Sequence, residues 1–201
     1  VIQKKIFILI SFILISSVGA AQIEVNGMAG FNVTSLKTNG IDWVSESGFG
    51  YQAGATATFG TYFYVEPGIF YIANYADLIF IGNGNGIAHG ITYQYHTSSL
   101  RIPVLGGYHL VGNAENSFYD VRVFAGPSVS FLLSGSPVGG IQADEFSKVN
   151  WGLDAGVGFS VWIFHCNMGY DWGLNRVYQS KVGGNAKSDM FWVDVGVRFR
   201  L

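Results

Sequence analysis

The sequence predicts an all-β protein, specifically an eight-stranded antiparallel up-and-down transmembrane β-barrel. Three observations predict it. Apolar and polar residues alternate with period two along most of the chain, and no segment keeps a helical period over three turns. Charged residues make up only 12% of the 201, about half the share usual in soluble domains, while aromatics reach 16%. Long and short connections alternate between the strands, as in bacterial outer-membrane barrels.

Residues 1–21 read as a secretory signal peptide. Lys4 and Lys5 supply the positive start, residues 6–15 the apolar stretch, and Ser16-Ser17-Val18-Gly19-Ala20-Ala21 a small-residue site cleaved after Ala20 or Ala21. That apolar stretch is short of the roughly 20 residues a spanning helix needs. Residues 22–201 then form the barrel domain.

Strands are expected at 22–34, 48–59, 61–73, 92–110, 119–133, 149–161, 165–175 and 191–201. The last shows the pattern best, with Phe191, Val193, Val195, Val197, Phe199 and Leu201 on one face and Trp192, Asp194, Gly196, Arg198 and Arg200 on the other. In 149–161, Trp151, Leu153, Val157 and Phe159 oppose Gly152, Asp154, Gly156 and Gly158. In 119–133, Val121, Val123, Val129 and Phe131 oppose Asp120, Arg122, Gly126 and Ser128.

The polar faces carry no lysine. Lysines fall in the leader or in connections and strand ends (Lys37, Lys148, Lys181, Lys187), whereas Arg101, Arg122, Arg198 and Arg200 lie within strands. Arginine suits confined, multiply bonded ion pairs. The sheet therefore reads inside out, with apolar side chains toward lipid and the polar face around a small lumen. Glu66, Asp120, Asp154, Asp171 and Asp194 are the inward acids expected to pair with those arginines. The alternative on pattern alone is a soluble lipocalin-like ligand-binding barrel, whose apolar face points inward.

Short connections are expected at Gly60, at 111–117 and near 163–165, on the periplasmic side; four long outer loops are expected at 35–47, 74–91, 134–148 and 176–188. Aromatics near strand ends (Tyr62-Phe63-Tyr64, Trp162 and Phe164, Tyr170 and Trp172, Phe191 and Trp192) suit interfacial girdles. Pro67, Pro103 and Pro127 fall inside strands, where each should cause a bulge or a lost ladder bond.

Several short segments resemble the PorT-like outer-membrane β-barrel family of the Bacteroidota, in the family's order and spacing. They are Gly30-Phe31-Asn32-Val33-Thr34-Ser35, Val65-Glu66-Pro67-Gly68-Ile69-Phe70-Tyr71, Leu100-Arg101-Ile102-Pro103-Val104-Leu105, Ala125-Gly126-Pro127, Tyr170-Asp171-Trp172-Gly173-Leu174 and Gly196-Val197-Arg198-Phe199. The resemblance implies an eight-stranded barrel and accounts for the strand prolines; it implies no particular activity. Two positions depart from the family pattern. Gly68 stands where the family usually has Glu, and Gly169 where it often has Arg.

Chemistry-bearing motifs are few. His96-Thr97-Ser98-Ser99 superficially resembles the His-x-Ser element of outer-membrane lipid A deacylases, and alternation puts His96 and Ser98 on the outward face. A serine hydrolase also needs an orienting acid, and Glu115, the nearest downstream, belongs to a turn at the opposite rim. Glu66 and Asp120 on flanking strands are expected to point inward. His165, Asn167 and Asp171 alternate on one strand, but one histidine with scattered oxygens is a weak metal site, and lumen hydrogen bonding fits them better. Gly82-Asn83-Gly84-Asn85-Gly86 lacks the Lys-Ser/Thr pair and helix of a phosphate loop and reads as an outer loop. Cys166, the single cysteine, excludes an internal disulfide and is expected to face lipid beside Met168 and Tyr170.

The net charge of −2 with no basic patch leaves nucleic-acid binding without an electrostatic footing. The expected protein is thus a non-enzymatic outer-membrane barrel, without cofactor and monomeric, with a structural or surface-interaction role through its outer loops. Its expected partners are outer-membrane lipids, a surface ligand at the loops, and the barrel-assembly and periplasmic chaperone machinery during biogenesis. A barrel-embedded lipid hydrolase is the alternative from another class. A solute pore is a third, opposed by an interior only wide enough for side chains.

Overall fold

The computed structural model describes residues 23–38, 43–45, 48–80, 91–112, 118–135, 147–175, 178–180 and 184–200; the side chains of 36–38, 43–45, 76–80, 91–95, 178–180, 184–186 and 200 are outside that description. The expected signal peptide, Glu115 and the 82–86 segment lie outside the described residues. The strands are β1 (Ile23–Thr38), β2 (Trp43–Ser45), β3 (Gly48–Gly60), β4 (Phe63–Phe80), β5 (Ile91–Val111), β6 (Tyr119–Gly135), β7 (Val149–Val161), β8 (Phe164–Gly173), β9 (Tyr178–Ser180) and β10 (Gly184–Arg200). Eight of them form the antiparallel series β1-β3-β4-β5-β6-β7-β8-β10. β10 then pairs back onto β1, from Glu24 opposite Arg200 to Thr38 opposite Ala186. Closure removes the open edge that hydrocarbon would leave unsatisfied.

The outer ends of the strands run further than the alternation indicated. β1 reaches Thr38 rather than 34, β4 continues to Phe80 rather than 73, and β10 starts at Gly184 rather than 191. Parts of the stretches expected as outer loops are therefore strand. The short β2 pairs with the end of β4, Trp43 opposite Phe80, and β9 with the start of β10, Ser180 opposite Gly184. Ladder hydrogen bonds can propagate without alternation, and alternation is imposed only where one face is buried against a core or exposed to lipid.

Within the barrel the usual distribution of polarity is reversed. The inward positions bury Glu24, Asn26, Gln52, Glu66, Arg101, Asp120, Arg122, Asp154 and Arg198, while Phe63, Trp151, Phe159, Phe164 and Phe199 are exposed. β7 and β8 show the strict alternation, for instance Asp154, Ser160, His165, Asn167 and Asp171 buried between exposed Leu153, Phe159, Phe164, Met168 and Trp172.

The three strand prolines interrupt pairing without shifting register. The β3–β4 ladder jumps from Thr56 opposite Gly68 to Phe59 opposite Val65, at Pro67. The β4–β5 ladder skips the pair that would include Pro103, and the β5–β6 ladder the pair that would include Pro127. A missing N–H costs a ladder bond, and the local loss suffices; the two register shifts lie elsewhere, between Ser98 and Ser99 and between His109 and Val111.

Tight turns close one end. Gly60 has φ 128° in the β3–β4 turn, a conformation open to glycine. The β7–β8 turn places Trp162 at φ 54°, left-handed for a bulky residue. Its backbone is fixed from both sides: its N–H donates to the Phe118 carbonyl at 2.7 Å, and Arg198 Nη2 donates to its carbonyl at 3.1 Å.

Candidate functional site

The inward side chains form two polar clusters separated by an apolar layer. At the end of the short turns, Asp120 is the centre of the first. It is fully buried and accepts from His109 Nδ1 at 2.5 Å. Arg122 Nη1 and Arg198 Nη1 lie 4.0 and 3.8 Å from its other oxygen, and Arg198 also lies 3.7 Å from Glu24. Arg122 donates to Asn167 at 3.0 Å and sits 2.7 Å from Nδ1 of His165, whose ring also meets Ser160 Oγ at 3.1 Å. Beside this cluster, Asn26 donates to Thr56 at 3.0 Å and Thr56 donates to Glu66 at 2.7 Å.

The second cluster occupies the outer half of the lumen. Arg101 pairs with Asp154 through Nη2 and with Asp171 at 3.0 Å. Trp192 Nε1 donates to Asp154 at 3.2 Å, and Ser128 to Asp171 at 2.9 Å. Gln52 Nε2 donates to both oxygens of Asp194 at 2.8 Å.

Between the clusters lie Met28, Phe70, Leu105, Phe124 and Trp192, in one buried apolar group with Ile72, Met190 and Tyr64, the last at the end of the short turns with its ring 4.9 Å from that of His109. Phe124 and Trp192 stack at 5.8 Å with an interplanar angle of 18°. Each large ring lies across the ladder from a glycine: Tyr64 from Gly107, Phe70 from Gly54, Phe124 from Gly156 and Trp192 from Gly169. A Cβ at any of these glycines would meet the ring itself. Narrow and wide residues thus alternate around the lumen, which is how a small barrel fills its interior. Arg101 lies 5.6 Å from the centre of the Trp192 ring and Arg122 5.8 Å from that of Tyr64, so the aromatic layer contacts both cationic groups.

Several expectations need correction. Among the described residues the five inward acids do not all pair with the strand arginines in one network. Arg122 and Arg198 gather Asp120 and Glu24, while Arg101 takes Asp154 and Asp171, because the apolar layer intervenes. Glu66 accepts from Thr56 instead of an arginine, and Asp194 is held by the Gln52 amide. The side chain of Arg200 lies outside the described residues. Tyr64, expected in a girdle, is inside, and Trp192 follows the inward phase of its strand rather than the girdle, because glycines across the ladder leave space for both. Sequence reasoning passed over His109 and Glu24; both sit on inward positions, but the β5 pattern is weak and Glu24 adjoins the leader.

The other motifs are dispersed. His165 and Asn167 join Arg122, and Asp171 joins Arg101, so their alternate spacing does not bring them together. His96 and Ser98 share the outward phase of Tyr75 and Ala73, their ladder partners. The His96 ring packs on Tyr75 at 4.7 Å, and Ser98 is buried. Glu66 and Asp120, both inward, are engaged by Thr56 and His109. Cys166 lies on the outward face, opposite Val195 and Phe159, in an apolar depression with Phe164 and Val197.

Comparison with known proteins fits this geometry. Residues 17–179 match the family model described as outer membrane protein beta-barrel domain. Comparison with curated proteins gives no match. Among solved structures the chain is similar to the outer membrane protein OprG from Pseudomonas aeruginosa, at 16% identity and a TM-score of 0.54, over 90% of this chain and 96% of that one. It is also similar to Ail, the attachment invasion locus protein of Yersinia pestis, at 12% identity and a TM-score of 0.48, over 89% and 99%. OprG supports the fold and the family model most of the length, so this chain belongs to the outer membrane protein beta-barrel domain family and resides in the outer membrane.

Proposed function

We propose that this chain is a non-enzymatic barrel with a side-chain-filled lumen that carries its outer connections at the cell surface, in a structural or surface-interaction role. The observation supporting this reading is the Phe124–Trp192 stack, with Leu105, Phe70 and Met28 beside it, lying across the lumen between two ion-paired clusters. Within the family we place the chain among the PorT-like barrels of the Bacteroidota, on the order of the segments around Pro67, Pro103 and Pro127. Outer-membrane lipids surround it as a monomer, a surface ligand meets the outer connections, and periplasmic chaperones and the barrel-assembly machinery deliver it.

Planar-bilayer recording tests the filled lumen. The wild type is expected to give no stable openings, and the double variant Phe124→Ala, Trp192→Ala to give them; large reproducible openings of the wild type would refute it. Lipid A mass spectrometry tests the absence of hydrolysis. Cells expressing the wild type and the Ser98→Ala form are expected to show the same acylation, and an acyl chain lost only with the wild type would establish the hydrolase instead.

A further inference from the structure

Closure of the barrel sets two lysines against each other. In the β1–β10 ladder Lys37 is the partner of Lys187, two positions beyond Ser35 opposite Asp189. Residues directly opposed in an antiparallel pair share a face of the sheet, with Cβ atoms about 5 Å apart, and like charges there repel. That face is the outward one, because Lys187 keeps the phase of the exposed Phe191 and Val195 and is itself exposed. Phe191 lies opposite Tyr170, whose ring packs on Trp172 at 5.0 Å, so an aromatic belt marks this level. Lys187 stands four residues past Phe191, about 10 Å along the membrane normal at the usual rise and tilt. That is the depth of the headgroups, at the end opposite the short turns. The acid on the same phase, Asp189, is buried and turned toward β8. Its Oδ2 accepts from the Tyr170 hydroxyl at 3.3 Å and its Oδ1 from the Gly173 N–H at 3.2 Å. One carboxylate against two lysines leaves an excess of positive charge, and the exposed Ser35 adds a hydroxyl on the same face.

We infer that Lys37 and Lys187 form a binding site for a phosphate group carried by a lipid headgroup of the outer leaflet. An anion between two opposed cations relieves their repulsion, and a phosphate monoester brings nearly two negative charges and several acceptor oxygens. Basic residues at the membrane surface gain from anionic lipid in this way. Lysine suits the task, being a point charge on a flexible stem that can follow a headgroup moving in the plane of the membrane. The arginines that need fixed partners, Arg101, Arg122 and Arg198, are inside.

The probes are lipid A carrying its phosphates, the same lipid after phosphatase treatment, and inorganic phosphate. Each is titrated onto the full barrel in neutral detergent micelles, and bound copies are counted by native mass spectrometry. The wild type is expected to retain phosphorylated lipid A, with apparent affinity falling about fivefold for each of Lys37→Gln and Lys187→Gln. Lys148→Gln, at an exposed position elsewhere on the outer rim, is expected to leave it unchanged. Equal retention of the two lipids by the wild type, or of phosphorylated lipid A by the wild type and the double variant, would overturn the site. Inorganic phosphate displacing the lipid at matching concentration would overturn the lipid as its source. A second measurement needs no added ligand. In phosphatidylcholine vesicles, whose headgroups carry no net charge, Lys187→Gln is expected to unfold at the same or a higher temperature than the wild type, because the repulsion is gone. A lower temperature would show the lysine serving the barrel's own Asp189 and would overturn the inference. Heat-modifiable gel mobility of the wild type in the same vesicles tests separately that lipid surrounds the barrel, the reading on which this inference rests.

Discussion

Asp120 receives a histidine and two arginines while being fully buried. Removing such an acid takes from Arg122 its carboxylate and leaves Arg198 with Glu24 in a confined space, and breaking a buried pair costs about 3–5 kcal/mol. Asp120→Ala is expected to lower the urea-unfolding free energy in lipid vesicles by about that much; a loss below about 1 kcal/mol, the range of an exposed pair, would mean that water reaches the cluster. Arg101→Lys is also expected to destabilise, because a point ammonium cannot serve Asp154 and Asp171 as the planar fork does. The glycines opposite the rings act by volume. Gly156→Val sets a branched side chain against Phe124, and overpacking of this kind costs about 1–3 kcal/mol, read as a lower unfolding temperature than that of an outward Ala155→Val control.

At the scale of the strands, the inner face was legible from the sequence wherever alternation was strict, as in β6, β7 and β10. There the inward phase of Asp120, Arg122, Asp154, Asp194 and Arg198 follows from counting by two. Partnership was not legible, because it depends on register and tilt around the closed sheet. Asp154 lies on β7 and meets Arg101 on β5, two strands away. Tyr64 was misread for a related reason, and Trp192 carried two conflicting signals, an inward phase and a girdle position: an aromatic near a strand end suits a girdle unless a glycine faces it across the ladder, and the ladder is known only once the strands are aligned. Turns carry their own constraint. Gly60 at φ 128° occupies a region that other residues enter at a cost on the order of 1–3 kcal/mol. Gly60→Ala is expected to destabilise by that amount and to slow closure of the β3–β4 hairpin in refolding kinetics; an unchanged stability would show that the turn relaxes freely.

For the whole molecule the outward apolar belt sets the fit to the bilayer. From Phe63 to Tyr75 on β4 the strand climbs about 30 Å along the membrane normal, and from Phe164 to Trp172 on β8 about 20 Å, given the usual rise and tilt. The mean agrees with an apolar band of about 25 Å. A protein with paired charges inside and such a belt outside is stable only with lipid around it, and this inversion is the central claim. It is tested most directly by cysteine scanning along β6 in the Cys166→Ser background, with a small fluorophore quenched by brominated lipid. The account predicts strong quenching at 121, 123, 129 and 131 and weak quenching at 120, 122, 124 and 128. Quenching in the opposite phase, or none at any position, would contradict it.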